Sequence, residues 1–298
     1  MLYREMPKNG DKLSILGFGC MRLPVDKSGA IDQDRAISQI RSAIDRGVNY
    51  LDTAWPYHGG HSEGLLGLAL KDGYRHKVKI ATKLPSWLIK SRQDMDDYLY
   101  RQLERLGTET IDYYLLHALD GNTWDKLQGL GVLEFLDKAL ADGRIVNTGF
   151  SYHGSAEDFK RIVDTNSWTF CQIQYNFLDE QLQAGTAGLK YAASKQMGVI
   201  VMEPLRGGNL AIPDAPPAVK EIWDQAEQKR TPAEWALRWV WDHPEVTVVL
   251  SGMNDESHIE ENLAIAEAAL PDSLTDAERN IVTRVAHKYR ELMKIGCT

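Results

Sequence analysis

Cysteine is scarce in this chain: Cys20, Cys171 and Cys297 are the only three in 298 residues. They lie too far apart to form a metal-ligand or disulfide pattern among themselves, which fits a reducing compartment. Cys20 and Cys171 read as core residues. No uncharged apolar stretch is long enough to span a bilayer. Residues 1–7 also lack the basic segment and apolar run of a secretory signal, so a cytoplasmic location is expected. Positive charge is in deficit too. Against 42 Asp and Glu stand 34 Lys and Arg, a net charge of −8, which sets nucleic acid and anionic membranes aside as partners. There is no low-complexity tract and no short repeat. No G-x-G-x-x-G follows the first strand, which argues against a Rossmann dehydrogenase.

What is present is a rhythm. Composition is 43% hydrophobic, enough to bury one large core in a single domain spanning 1–298. Short apolar runs at 14–18, 50–52, 78–83, 111–117, 146–151, 170–175, 199–203 and 246–251 read as strands. Between them, amphipathic stretches at 32–46, 62–72, 91–106, 131–142, 155–165, 186–197, 231–242 and 257–268 read as helices. Several open on capping residues, among them Asp32, Ser62, Ser155 and Thr231. Eight alternating βα units predict an α/β fold, a (β/α)8 TIM barrel. Residues 2–13, centred on Asn9-Gly10, predict an N-terminal β-hairpin that plugs the barrel floor. Stretches at 216–229 and 275–291 predict two extra helices outside the ring.

Chemistry in such barrels belongs to the C-terminal ends of the strands. Asp52 ends the second strand, Tyr57 follows in its loop, Lys83 ends the third strand and His117 the fourth. Each alone has a plain structural reading: Asp52 as a turn cap, Tyr57 as a packing aromatic, Lys83 as a solvated strand end, His117 as a core histidine. Placed together on adjacent strand ends, they favour a shared site. Reducing a carbonyl needs a hydride on carbon and a proton on oxygen, and a phenol can donate that proton if an ammonium lowers its pKa. Lys83 is placed to do so. Asp52 would hold Lys83, and His117 would hydrogen-bond the carbonyl oxygen. A Schiff-base lyase or aldolase built on Lys83 needs that amine neutral and so competes with an Asp52 pairing.

Leu51-Asp52-Thr53-Ala54, Tyr57 followed by Ser62-Glu63 and Leu66-Gly67-Leu68-Ala69-Leu70, Ala81-Thr82-Lys83 and Leu115-Leu116-His117 together resemble the aldo-keto reductase family, in its order and spacing. The resemblance covers nearly the whole chain. It implies that Asp52, Tyr57, Lys83 and His117 are a catalytic tetrad with Tyr57 as general acid, acting on aldehydes or ketones with NADP(H), or NAD(H), as cofactor. It also implies nicotinamide contacts from Ser151 and Gln172. Tyr152 follows that serine where many members have asparagine, and Met202 stands where many stack a tyrosine on the ring. The cofactor's phosphates are expected at Pro204, Leu205 and Gly207 after the seventh strand, and at Ser251, Gly252 and Met253 after the eighth. His258 stands where many members carry an arginine for the 2′-phosphate, with Glu261 and Asn262 following. Trp55 and Trp87 are expected to line the substrate pocket, with a small carbonyl compound as partner. Some relatives of this fold are regulatory subunits, so a non-catalytic nicotinamide sensor is the other function in view.

His58-Gly59-Gly60-His61 has no clear third ligand and reads as loop histidines, so no metal is assigned. The run from Met202 to Gly208 and the ending Lys294-Ile295-Gly296-Cys297-Thr298 resemble the family subgroup that carries a C-terminal iron-sulfur segment. Cys297 would be the first ligand of a 4Fe-4S cluster, present only if the native chain is longer; one cysteine cannot hold a cluster.

Overall fold

In the computed structural model, which describes residues 1–295, the hairpin comes first: β1 (Tyr3–Glu5) pairs antiparallel with β2 (Lys12–Ser14), Arg4 opposite Leu13. Eight parallel strands then close into a barrel: β3 (Leu16–Gly19), β4 (Tyr50–Asp52), β5 (Lys79–Leu84), β6 (Ile111–Leu119), β7 (Ile145–Tyr152), β8 (Phe170–Gln174), β9 (Gly198–Met202) and β10 (Val246–Ser251), with β10 pairing back to β3. The outer ring is α1 (Gln33–Asp45), α2 (Ser62–Ala69), α3 (Arg92–Leu106), α5 (Val132–Ala141), α6 (Ala156–Val163), α7 (Gly185–Ser194), α9 (Pro232–Trp241) and α10 (Glu256–Ala266). Three helices stand outside the simple alternation: α4 (Gly121–Gly129), α8 (Pro217–Trp223) and α11 (Asp276–Ile295).

The TIM barrel read from the sequence is the fold found, with three local corrections. Ser14 belongs to the hairpin, opposite Tyr3, so the first barrel strand starts at Leu16. The strand expected to end at His117 runs on to Leu119. The loop after it folds as α4, where Asp120 caps the helix by accepting from the Thr123 amide at 2.7 Å and Trp124 and Leu127 face inward. Of the two extra helices, α8 is shorter than its sequence pattern and α11 longer. They pack on each other and on α9 through a second apolar cluster that includes Val219, Trp223, Trp235 and Val285.

Inside the barrel, strand alternation points Tyr50, Tyr113, Phe170, Ile200 and Val248 at one another, and the hairpin residues Met6 and Leu13 join them from below. Asn9 sits at the hairpin tip and donates to the Tyr113 hydroxyl (3.1 Å) and the Asn147 side chain (2.9 Å), which seats the plug on the floor. Gly149 is required here: a Cβ would lie 2.5 Å from the Phe170 carbonyl oxygen. Gly67 of α2 is required likewise, because a Cβ would meet the carbonyl oxygens of Arg105 and Leu106 on α3 at 2.8 Å. A barrel filled and floored from one end leaves the C-terminal rim as the open face.

Candidate active site

Lys83 is fully buried, so its ammonium must find acceptors within the protein. It finds both oxygens of Asp52, at 2.7 and 2.8 Å, and the Thr53 carbonyl at 2.8 Å. The Tyr57 hydroxyl stands 3.4 Å from Nζ. Burial pulls the Lys83 pKa down, but the Asp52 carboxylate and the Tyr57 phenol together more than offset this and hold it above the ordinary lysine value. The amine is therefore charged, which removes support for a Schiff base at this residue.

Tyr57 opens a tight turn, Tyr57–Gly60, in which His58 (φ 51°), Gly59 (φ 63°) and Gly60 (φ 92°) take left-handed backbone. The His58 Nε2 accepts from the Leu23 amide at 2.9 Å, tying this turn to the loop after β3. Burial raises the Tyr57 pKa, and the neighbouring Lys83 ammonium draws it back down without cancelling the rise. The expected influence of Lys83 has the expected sign; it does not bring the phenol below its ordinary value, because desolvation is the larger effect in this buried position.

The His117 ring stands edge-on to Tyr57, with centroids 6.1 Å apart, and lies 5.1 Å from the Trp87 ring. Its Nδ1 is buried and has no hydrogen-bond partner. Burial, the Lys83 charge and His153 push its pKa down to about 2, so the imidazole is neutral. A bulge aims it. Ala118 has φ 53°, and the β6–β7 register shifts between Leu116 and Leu119. The Ala118 amide donates to Ser151 Oγ at 2.7 Å, leaving the serine's own O–H free to donate elsewhere.

The opposite rim is less complete. Gln172 donates through Nε2 toward the Met202 sulfur at 3.6 Å, while its buried Oε1 has no partner. Asn262 donates to Ser251 Oγ at 2.9 Å, Met253 is buried, and Glu261 accepts from the Thr231 hydroxyl at 2.6 Å. His258 is exposed in the first turn of α10. That helix begins with Asp255 and Glu256, both bonded to Arg35. Pro204 is buried and Leu205 half-buried, and the Gly207 carbonyl accepts from Arg22 Nη1 at 3.0 Å, joining the loops after β9 and β3 over β10, where the Arg22 stem also covers Gly252. Trp55 lies edge-on to Tyr98 and under the Arg105 guanidinium, and Trp87 is 47% exposed at the rim. Cys297 lies outside the described residues. Among those residues, no cluster of three or more His, Cys, Asp or Glu is arranged to hold a metal, and no helix is long and apolar enough to cross a membrane.

The sequence brought forward Asp52, Tyr57, Lys83 and His117, and these four do meet. It missed the Ala118 bulge, for which no sequence signal exists, and Arg22. It also missed Gln102, although that polar residue falls on the buried stripe Met95, Leu99, Leu106 of α3, a spacing that marks it as an inward-facing polar group.

An eight-stranded α/β barrel whose C-terminal rim gathers an acid, a phenol, an ammonium and a neutral imidazole defines a class of oxidoreductase scaffold. The chain belongs to the aldo/keto reductase family, whose model matches residues 15–281. It is 26% identical to the rat protein named aflatoxin B1 aldehyde reductase member 2, over 87% of this chain and 83% of that one. The holo form of aldo-keto reductase AKR11C1 from Bacillus halodurans superposes with a TM-score of 0.80 at 25% identity, covering 96% of each chain. An aldo-keto reductase from Klebsiella pneumoniae solved in complex with NADPH gives a TM-score of 0.75 at 21% identity, again covering 96% of each. Family membership supports an oxidoreductase of the nicotinamide-dependent kind.

Proposed function

We propose that the protein reduces aldehydes or ketones to alcohols with NADPH, and that Tyr57 supplies the proton. The observation that carries this is the arrangement of Tyr57 OH 3.4 Å from an ammonium clamped by Asp52, with the neutral His117 ring edge-on beside it. Among the buried polar atoms without partners are His117 Nδ1 and, on β8, Gln172 Oε1, which a carbonyl compound and a carboxamide would satisfy. The residues fit a nicotinamide: Gln172 and the free O–H of Ser151 would hold its carboxamide, Met202 would lie against its ring, and the Leu205–Gly207 and Ser251–Met253 loops would take the diphosphate. When bound, that group supplies a hydride to the carbonyl carbon.

The chain's own part is the proton. His117 orients the carbonyl oxygen next to the Tyr57 hydroxyl. As negative charge grows on that oxygen, the phenol O–H bond breaks, the proton passes to it, and the phenolate left behind faces the Lys83 ammonium. Asp52 keeps that ammonium in place and charged. Solvent at the rim, marked by the exposed Trp87, returns the proton.

For the cofactor, the N-terminus of α10 favours an anion, but Asp255 and Glu256 stand at the same end and His258 replaces an arginine. The preference for NADPH over NADH is therefore expected within about tenfold. Tryptophan fluorescence titration with both cofactors, followed by oxidation of the bound form on adding a panel of aldehydes and ketones, tests the proposal. Oxidation that Tyr57→Phe slows by about 100-fold or more, with cofactor affinity kept, supports it. Binding without oxidation by any carbonyl would transfer the reading to a sensor.

A further inference from the structure

Glu63, near the start of α2, is completely buried and is not part of the four-residue site. A carboxylate in that position has to be surrounded by donors, and it is. Its Oε1 accepts from Thr82 Oγ1 and from Gln102 Nε2, both at 2.7 Å, and its Oε2 from Arg105 Nη1 at 3.2 Å. Gln102 Nε2 also reaches the Lys83 carbonyl at 3.0 Å, and its Oε1 accepts from the Tyr114 hydroxyl at 2.8 Å. The Arg105 guanidinium lies 3.5 Å above the Trp55 ring, two residues before Tyr57 in the same loop.

Followed outward, the two oxygens of this carboxylate lead to opposite sides of one contact. Oε1 leads through Thr82 and Gln102 to the backbone of Lys83. Oε2 leads through Arg105 and Trp55 to the loop that carries Tyr57. The contact between them, Lys83 Nζ to Tyr57 OH at 3.4 Å, is at the outer limit of a hydrogen bond. A separation so near that limit is lost with a shift of a few tenths of an ångström, and proton transfer is sensitive to displacements of that size.

We propose that Glu63 is a positioning residue that sets the distance between Tyr57 and Lys83, acting on the strand through Gln102 and Thr82 and on the loop through Arg105 and Trp55. The inference rests on the assignment of Tyr57 as proton donor. Charge matters to it as well as shape. A neutral amide at position 63 brings an N–H2 that must face Arg105 or Gln102, both donors, so one arm of the clasp opens.

The test uses the intact chain carrying Glu63→Gln and, separately, Arg105→Met, whose site is partly exposed and so is easier to vary without loss of the fold. Thermal unfolding establishes the folded range. Within it, cofactor affinity is read by tryptophan fluorescence, kcat and KM with one reactive aldehyde, and the Tyr57 phenol titration by ultraviolet difference against the same variant carrying Tyr57→Phe. Both variants are expected to lower kcat by about tenfold or more, to leave KM and cofactor affinity within about twofold, and to raise the midpoint of the Tyr57 titration as the ammonium recedes. A lowered unfolding temperature with kcat and the Tyr57 midpoint unchanged would mean that Glu63 is only a core ion pair and would overturn the proposal. If Tyr57→Phe alone turns over like the parent, the proton-donor assignment fails instead, and the shift in the Tyr57 midpoint still decides whether Glu63 sets the contact.

Discussion

The rim of the barrel has two halves built to different standards. On the side of β4, β5 and β6, each buried charge is held: Lys83 by Asp52 and the Thr53 carbonyl, Glu63 by Thr82, Gln102 and Arg105. On the side of β8, β9 and β10, the buried Asp179 is held by Arg206 and Asn176, but a buried Gln172 oxygen, like the neutral His117 Nδ1 across from it, is left without a partner, and Arg22 ties the loop after β3 to the Gly207 carbonyl. The difference separates what must be preorganised from what must be vacated. A group that moves a proton cannot wait for its environment to form, whereas a surface that receives a ligand keeps its hydrogen bonds unspent until the ligand arrives.

The sharpest way to break this comparison is to remove a partner on the finished side. Lys83→Met leaves Asp52 buried and unpaired, and is expected to cost about 3–5 kcal/mol of stability by denaturant unfolding and to reduce turnover by about a thousandfold or more. Stability within about 1 kcal/mol of the parent would show that water already shares the pocket. The second test uses pH. His117 has its folded pKa depressed from 6.5 to about 2. Its neutral form costs nothing above 6.5, and stability is lost as pH falls below that value, because the unfolded chain then binds a proton that the folded one does not. Relative to His117→Gln, the parent is expected to lose on the order of 2 kcal/mol on going from pH 7 to pH 5, measured by unfolding at each pH. Parallel curves would mean that the ring is solvated.

The unfinished half should respond with the opposite sign. Gln172→Leu removes an orphaned acceptor, so the ligand-free protein is expected to be as stable as the parent or more stable by about 1 kcal/mol, while cofactor affinity falls about tenfold. A loss of stability would show that Gln172 is satisfied before any ligand binds. The smallest effect belongs to Arg35, which bonds Asp255 and Glu256 at the head of α10 and draws the Glu256 carboxyl down to about 2. Arg35→Met frees two negative charges there and is expected to weaken NADPH by about two- to fivefold relative to NADH at low salt, a gap that closes as salt rises.

Strand ends, helix faces and the order of the four polar residues could be read from the sequence because each depends on local periodicity. Asp52, Lys83 and His117 follow apolar runs, and in a parallel barrel that alone places them on one rim. The same logic stopped at His117, where the left-handed Ala118 interrupts β6 and no residue type announces it. It passed over α4 because Gly121-Asn122 resembles a turn, although Asp120 supplies the cap that makes a helix start there. Ser14 reads as the start of the barrel strand because the apolar Ile15 and Leu16 follow it directly; only the pairing with Tyr3 assigns it to the hairpin. The network around Glu63 joins residues 19 to 42 positions apart, a distance at which periodicity carries no information.

The hairpin below the barrel has a consequence for traffic above it. With Met6, Leu13 and Asn9 sealing one end and side chains filling the barrel above them, the C-terminal rim is the face left for ligands, and two ligands bound there share one opening. A molecule seated against Gln172 and Ser151 lies farther in than one resting beside Trp87 at the rim. Under the proposed reaction, the alcohol departs first and the spent cofactor last. Under that order, oxidised cofactor is expected to compete with reduced cofactor and not with the carbonyl compound, which product-inhibition kinetics would check.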